Sequence, residues 1–226
     1  MIPLRDTVPR KSVPVVTWAL IAVNVAVFVW ELSLGSGLGA EVARLGFQPA
    51  RFFGEASPPL DAASRLLPLV TSQFLHGGWL HLLGNMVFLA IFGDNVEDAL
   101  GHVVYLVFYL ASGAAACLIQ GFVSPESAVP MVGASGAIAG ILGAFFLLFP
   151  TARVLTLVIL FVFFPIVEIP AFFFLLYWFL LQFVSGAGLF GLAGAAGDGV
   201  AWWAHVGGFA AGLTVALAVR IARGLR

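Results

Sequence analysis

Six apolar stretches, at about 14–34, 79–98, 102–122, 135–149, 168–184 and 201–221, constrain this sequence more than anything else in it. A helix rises about 1.5 Å per residue, so some 20 residues cross a hydrocarbon core roughly 30 Å thick. The stretches at 135–149 and 168–184 fall short of that length. A short span leaves one helix end below the membrane surface, where non-helical backbone survives only against protein or a water-filled cavity. Charged residues make up 9% of the 226-residue chain, against about 25% in soluble domains. So few charges cannot cover a water-exposed surface of this size, whereas a bilayer tolerates it. The expected fold is all-α: one polytopic membrane domain over 1–226, with six transmembrane helices.

Arg5, Arg10 and Lys11 precede the first apolar run, 13–30. That run exceeds the roughly 7–15 residues of a signal-peptide core, and more spans follow it, so it reads as an uncleaved membrane helix. A net charge of −1 gives no reason to expect a nucleic-acid partner. The single cysteine, Cys117, cannot form an internal disulfide.

With six spans both termini share one side, together with Arg5, Arg10, Lys11, Arg153, Arg220, Arg223 and Arg226. The opposite side holds Arg44, Arg51 and Arg65. The positive-inside rule then predicts cytoplasmic termini, in the plasma (inner) membrane of a prokaryote, with loops 35–78, 123–134 and 185–200 facing outward. The first of these, with Pro58, Pro59, Phe47, Phe52 and Phe53, is polar enough to leave the bilayer and greasy enough to rest on it.

Segment 150–167 admits two readings. As part of one long helix, 154–184, it would bury Glu168 in hydrocarbon and place Pro165 and Pro170 inside a helix. The preferred reading lays 154–166 along the cytoplasmic interface, anchored by Arg153. Pro170 then falls in the first turn of the fifth helix, where its missing N–H costs nothing, and Glu168 stays at the wet end.

Polar side chains at membrane depth are functional candidates by default. Ser135 lies in Gly133-Ala134-Ser135-Gly136. Alone, such a serine is more often a helix cap or a packing residue. The glycines, however, permit close backbone approach, and a helix N-terminus offers N–H groups to a developing oxyanion. Ser135 also heads a strip of small residues, Gly136, Gly140 and Gly143. On the sixth stretch Gly208 and Gly212 follow His205 at i+3 and i+7, on the face of the histidine. If the two strips pack together, Ser135 and His205 meet as nucleophile and base. No carboxylate lies at similar depth, Asp198 being too near the surface, so a dyad is expected. His81 and Asn85, four apart on one helix face, are either interhelical staples or oxyanion donors. A metal reading is weaker, because His76 and His81 are five apart and no His-Glu-x-x-His pattern occurs. Asn24 has no evident partner and reads as structural.

Three segments together resemble the rhomboid family of intramembrane serine proteases: Phe74-Leu75-His76-x4-His81-x3-Asn85, Gly133-Ala134-Ser135-Gly136, and Ala204-His205-x2-Gly208-x3-Gly212. The resemblance implies a six-helix rhomboid-like bundle with a catalytic cavity open to the outside. It implies Ser135 as nucleophile, His205 as general base, and Asn85 and His81, with Gly133 of the serine motif, on the oxyanion side. Substrates would be single-span membrane proteins cut in or near their spans, with no cofactor and no metal. One departure is Ala139, where some members carry an aromatic residue packed on the catalytic histidine; Trp202 or Trp203 is the expected substitute. Glu97 matches a familiar acidic position and is assigned a structural role. The fifth stretch is rich in aromatics, which either form a lateral gate at Phe174, Trp178 and Phe179 or only face lipid. The alternatives to a protease are a catalytically inactive relative that binds membrane clients, and a small transporter or channel. The intact Ser135/His205 pair argues against the first, and the lack of internal repeats against the second.

Overall fold

The computed structural model describes residues 1–54, 61–187 and 201–224. Pro58, Pro59, Asp198, Arg226 and most of the 185–200 loop lie outside the described residues. Strand β1 (Ile2–Asp6) leads into helix α1 (Val15–Ser33). The first loop then winds through a 3-10 turn and short helices α2 (Leu38–Leu45), α3 (Pro49–Phe53), α4 (Ala62–Leu66) and α5 (Pro68–Thr71). Helices α6 (Trp79–Leu100), α7 (His102–Val123) and α8 (Ser135–Leu148) follow. After strands β2 (Arg153–Leu157) and β3 (Ile166–Pro170), the chain ends in α9 (Ala171–Gly186) and α10 (Trp202–Ala222). Helices α1, α6, α7 and α10 are long and apolar enough to cross a membrane, and α8 and α9 are shorter apolar helices. The chain is thus a multi-pass integral membrane protein. Its helices run alternately between a base, which carries β1 and the last turn of α10, and a top.

Helix α8 forms the axis. Every residue from Gly136 to Phe145 is buried, because α6, α7 and α10 pack around it. Its 14 residues reach only about 21 Å by helical rise. Ser135 at its first turn therefore sits below the top of the bundle. Backbone-to-backbone contact with α10 makes this possible. A Cβ on Gly212 would overlap the Gly140 carbonyl, and one on Gly208 would overlap the Gly136 carbonyl. The two strips of small residues pack as the spacing predicted, with carbonyls of one helix seated on glycines of the other.

The base corrects the all-α expectation. Strands β1, β2 and β3 form a three-stranded antiparallel sheet in that order. Arg153 pairs with Pro170, Leu155 with Glu168 and Leu157 with Ile166, while Ile2 and Asp6 of β1 lie opposite Leu157 and Val154. The segment expected along the cytoplasmic interface thus belongs to a β-hairpin of Arg153–Leu157 and Ile166–Pro170, and the single long helix 154–184 is excluded. The fifth helix starts at Ala171, with Pro170 as its N-cap just outside the first turn. Glu168 lies in β3, half exposed, with an Oε2 3.3 Å from the Nε of Arg153. The physical reason is that extended backbone keeps Pro165 and Pro170 out of any helix interior. The sheet was hidden because β2 alternates poorly at the sequence level: Val154 and Thr156 turn into the core, yet Leu155 and Leu157 are apolar too. Its partner β1 is also some 150 residues away in the chain, beyond any local signal.

Candidate active site

The site is assembled where α8, α9 and α10 meet the linker before α6. His205, one turn into α10, places Nε2 2.8 Å from the Oγ of Ser135. Both side chains are only partly buried and so remain reachable. The far side of the imidazole is held as well, by a residue that sequence reasoning did not single out. Gln182 of α9 donates its Nε2–H to the Trp178 carbonyl, 3.3 Å away. That bond turns Oε1 toward His205, whose Nδ1 lies 2.7 Å from it. An amide oxygen only accepts, so Nδ1 carries the proton and Nε2 presents its lone pair to the serine.

Trp178 and Trp202 flank the imidazole, with ring centroids 5.8 Å and 6.4 Å from it. Of the two expected substitutes for an aromatic at 139, Trp202 is in place. Trp203 is not, because its indole N–H donates to the Gly186 carbonyl. Ala139 is fully buried, 3.1 Å from where a side chain on Gly208 would begin. No aromatic ring fits between the two helices there.

The opposite wall carries His81 and Asn85. The Gly77 N–H donates to Nδ1 of His81 at 3.3 Å, which leaves the proton on Nε2, facing Gly133. Gly133 has φ +123°, and a Cβ there would lie 2.6 Å from the His81 ring. Only glycine meets both the backbone conformation and the approach. Its N–H is spent on the Ser72 carbonyl, 2.8 Å away. Gly133 therefore lies on the expected oxyanion side and supplies space there, its own N–H being engaged elsewhere. The N–H of Ser135, in the first turn of α8, has no acceptor within its helix.

Asn85 is buried and brings its Nδ2 within 3.0 Å of the Nε2 of His76. His76 directs Nδ1 at the Phe74 carbonyl, 3.2 Å away, so its Nε2 accepts from the amide of Asn85. Burial, aided by the neighbouring His81, pushes His76 down to about 4. A neutral His76 keeps this acceptor at physiological pH. The backbone N–H of His76 donates to Glu31 of α1, 3.1 Å from Oε2. Asn85 has two amide hydrogens, of which His76 takes one, and its Nδ2 lies 3.6 Å from where a side chain on Gly133 would begin, behind a recess that Gly133 lines. That recess, lined by Ser72, Gln73, Cys117, Gly133, Ser135 and Ala204, lies beside the serine. Asn24 stays apart from it, donating to the Leu20 carbonyl of its own helix.

Gln182 was legible by the rule that flagged Asn24: a polar residue in an apolar helix. Its position one turn from the end of α9 points, in the sequence alone, to the membrane surface instead.

Comparison with known proteins gives a consistent picture. A family model, the Rhomboid domain, matches residues 63–222. The chain is 44% identical over 72 residues to Rhomboid-like protein 11, chloroplastic, of Arabidopsis thaliana, covering 32% of this chain and 25% of that one. It is 34% identical over 116 residues to RHOMBOID-like protein 5 of the same plant, covering 46% and 38%. It is 32% identical over 136 residues to Rhomboid protease GluP of Bacillus subtilis (strain 168), covering 60% and 25%. In each of these pairs the match spans well under half of the relative's length.

Proposed function

The chain belongs to the Rhomboid domain family, and from that premise we propose that it is a serine endopeptidase that cuts single-span membrane proteins in or near their membrane segments. The observation that carries the proposal is the 2.8 Å approach of His205 Nε2 to Ser135 Oγ. Its supporting tautomer is fixed from behind by Gln182. In the first step Ser135 Oγ bonds to the scissile carbonyl carbon while its proton passes to His205 Nε2. The carbonyl π electrons move to oxygen, and the resulting oxyanion faces the Ser135 N–H, the His81 Nε2–H and the spare Asn85 Nδ2–H. Collapse expels the amine, which takes the proton from His205, and leaves an ester on Ser135. Water, deprotonated by the same Nε2, hydrolyses the ester and restores the serine. Every step uses groups of this one domain, 1–226, and needs no cofactor.

A peptide bond inside a helix is screened by neighbouring turns. A substrate span must therefore unwind inside the protein, where non-helical backbone is not exposed to lipid. We place the base on the cytoplasmic side of a prokaryotic plasma membrane. It carries Arg5, Arg10, Lys11, Arg153, Arg220 and Arg223, against Arg44, Arg51 and Arg65 at the top. The catalytic recess then opens outward. The test is cleavage of a fluorescent single-span substrate by purified protein in detergent and liposomes, alongside labelling with a serine-directed fluorophosphonate. Product formation and labelling that both vanish in Ser135→Ala support the reading. Cleavage that persists in Ser135→Ala overturns it.

A further inference from the structure

We propose that Gln182 is the positioning residue of the catalytic base, a neutral third member that orients His205 from behind the Ser135–His205 pair. The inference rests on the protease reading and adds a residue to it from a different helix. Three observations converge. Gln182 is buried, so its amide must find partners within the protein. Its Nε2 is committed to the Trp178 carbonyl one turn earlier, which leaves Oε1 no choice of direction. That oxygen lies 2.7 Å from the Nδ1 of His205, opposite the nitrogen that meets Ser135.

The role follows from the chemistry of imidazole. A neutral histidine carries one proton, on either nitrogen. A proton on Nε2 would point at Ser135 and make His205 useless as a base. An acceptor at Nδ1 holds the proton there through the whole cycle, while the second proton shuttles only between Ser135 Oγ, Nε2 and the leaving amine. Soluble proteases use a buried carboxylate for this purpose. At membrane depth a carboxylate is costly, whereas an amide oxygen accepts the same hydrogen bond without a charge. The face of Trp178, 5.8 Å from His205, adds a π surface beside the imidazolium formed in each step. Because Gln182 and Trp178 both stand on α9, the competence of the base depends on α9 staying docked against α10. The contacts of Phe179 with Phe209 at 4.8 Å and of Trp203 with the Gly186 carbonyl keep it there.

The experiment uses the full chain with two substitutions. Gln182→Leu removes the acceptor at similar volume, and Gln182→Glu keeps one. For Gln182→Leu the expected result is a kcat lower by about 10–10²-fold, by analogy with losing the outer partner that orients a metal-bound histidine, with KM and melting temperature unchanged. Gln182→Glu should recover most of the lost rate, which a mere packing role would not produce. Nitrogen-15 NMR of the histidines, with the His205 signal identified by His205→Gln, reads the tautomer without any substrate. Wild type should hold the proton on Nδ1, and Gln182→Leu should lose that preference. Wild-type kcat in Gln182→Leu, equal losses in Leu and Glu variants, or an unchanged tautomer each overturn the proposal. Because the tautomer is read at rest, it decides the role of Gln182 even if no proteolysis is found, an outcome that would instead remove the protease reading.

Discussion

Two polar clusters lie at opposite ends of the bundle, and their contrast separates scaffold from chemistry. At the base, Glu97 of α6 is fully buried. One carboxylate oxygen accepts the Val16 N–H at 2.9 Å and faces Nδ1 of His102; the other accepts the Thr17 N–H at 2.8 Å and the Thr17 hydroxyl at 2.7 Å. A side chain from one helix thus caps the first turn of another, α1, where N–H groups have no helical partner. Both oxygens are saturated. At the top, the valences are not. Ser135 and His205 share one hydrogen bond, Asn85 keeps a second amide hydrogen, and the His81 Nε2–H faces Gly133. A polar group at membrane depth is expensive. Where it is fully satisfied it holds helices together, and where donors are left over they are available to a substrate.

The sharpest way to break this contrast is to remove the nucleophile or its base. Ser135→Ala and His205→Ala should each lower cleavage to background, because the two act as a unit and their losses do not add. Neither should lower the melting temperature much, since the dense packing between α8 and α10 runs through Gly136, Gly140, Gly208 and Gly212 below them. A large loss of stability in Ser135→Ala would place the serine with the scaffold.

Next in size is the oxyanion side. Asn85→Ala should cost roughly 10²–10³-fold in kcat, the usual loss for one such donor, with residual cleavage above that of Ser135→Ala. Turnover at the wild-type rate would reduce Asn85 to a partner of His76.

These residues were legible in the sequence because intramembrane polar groups are rare and the glycine strips gave their helices a common face. What was not legible depends on partners distant in the chain. Gln182 reads as a surface-seeking amide until His205, 23 residues later, is placed against it. Glu31 reads as the charged end of a span until it receives the backbone of His76. The sheet at the base joins Ile2–Asp6 to Arg153–Leu157 across the whole bundle. The aromatics of α9 likewise divide only in three dimensions. Phe174 is buried against Phe88 and Phe92 of α6, at centroid distances of 6.3 Å and 6.2 Å, whereas Trp178 and Phe179 both pack on α10. Of these three aromatics, Phe174 is the one whose ring packs in the seam between α9 and α6. Phe174→Leu should therefore speed cleavage of a membrane-embedded substrate several-fold, while Trp178→Leu should slow it by loosening His205. The measurement is initial rate in liposomes, and equal changes in both variants would merge the seam with the base.

The smallest effect on turnover is expected where the effect on stability is greatest, and it tests the contrast from the scaffold side. Glu97→Ala removes every acceptor from the Val16 and Thr17 N–H groups while leaving them at the buried end of α1. An orphaned buried donor costs about 1–3 kcal/mol, and the capping of α1 is lost with it. Glu97→Gln keeps one acceptor oxygen in nearly the same volume and should fall between Ala and wild type. Both variants should melt earlier and yield less folded protein. Yet Glu97 lies near the last turn of α6 and His81 in its first, so the geometry at the top stays fixed by the upper half of that helix. Rates divided by the number of fluorophosphonate-labelled serines should therefore match wild type in both variants. If the rate per labelled serine falls in step with the melting temperature, the two clusters are coupled along α6, and the separation between scaffold and chemistry fails.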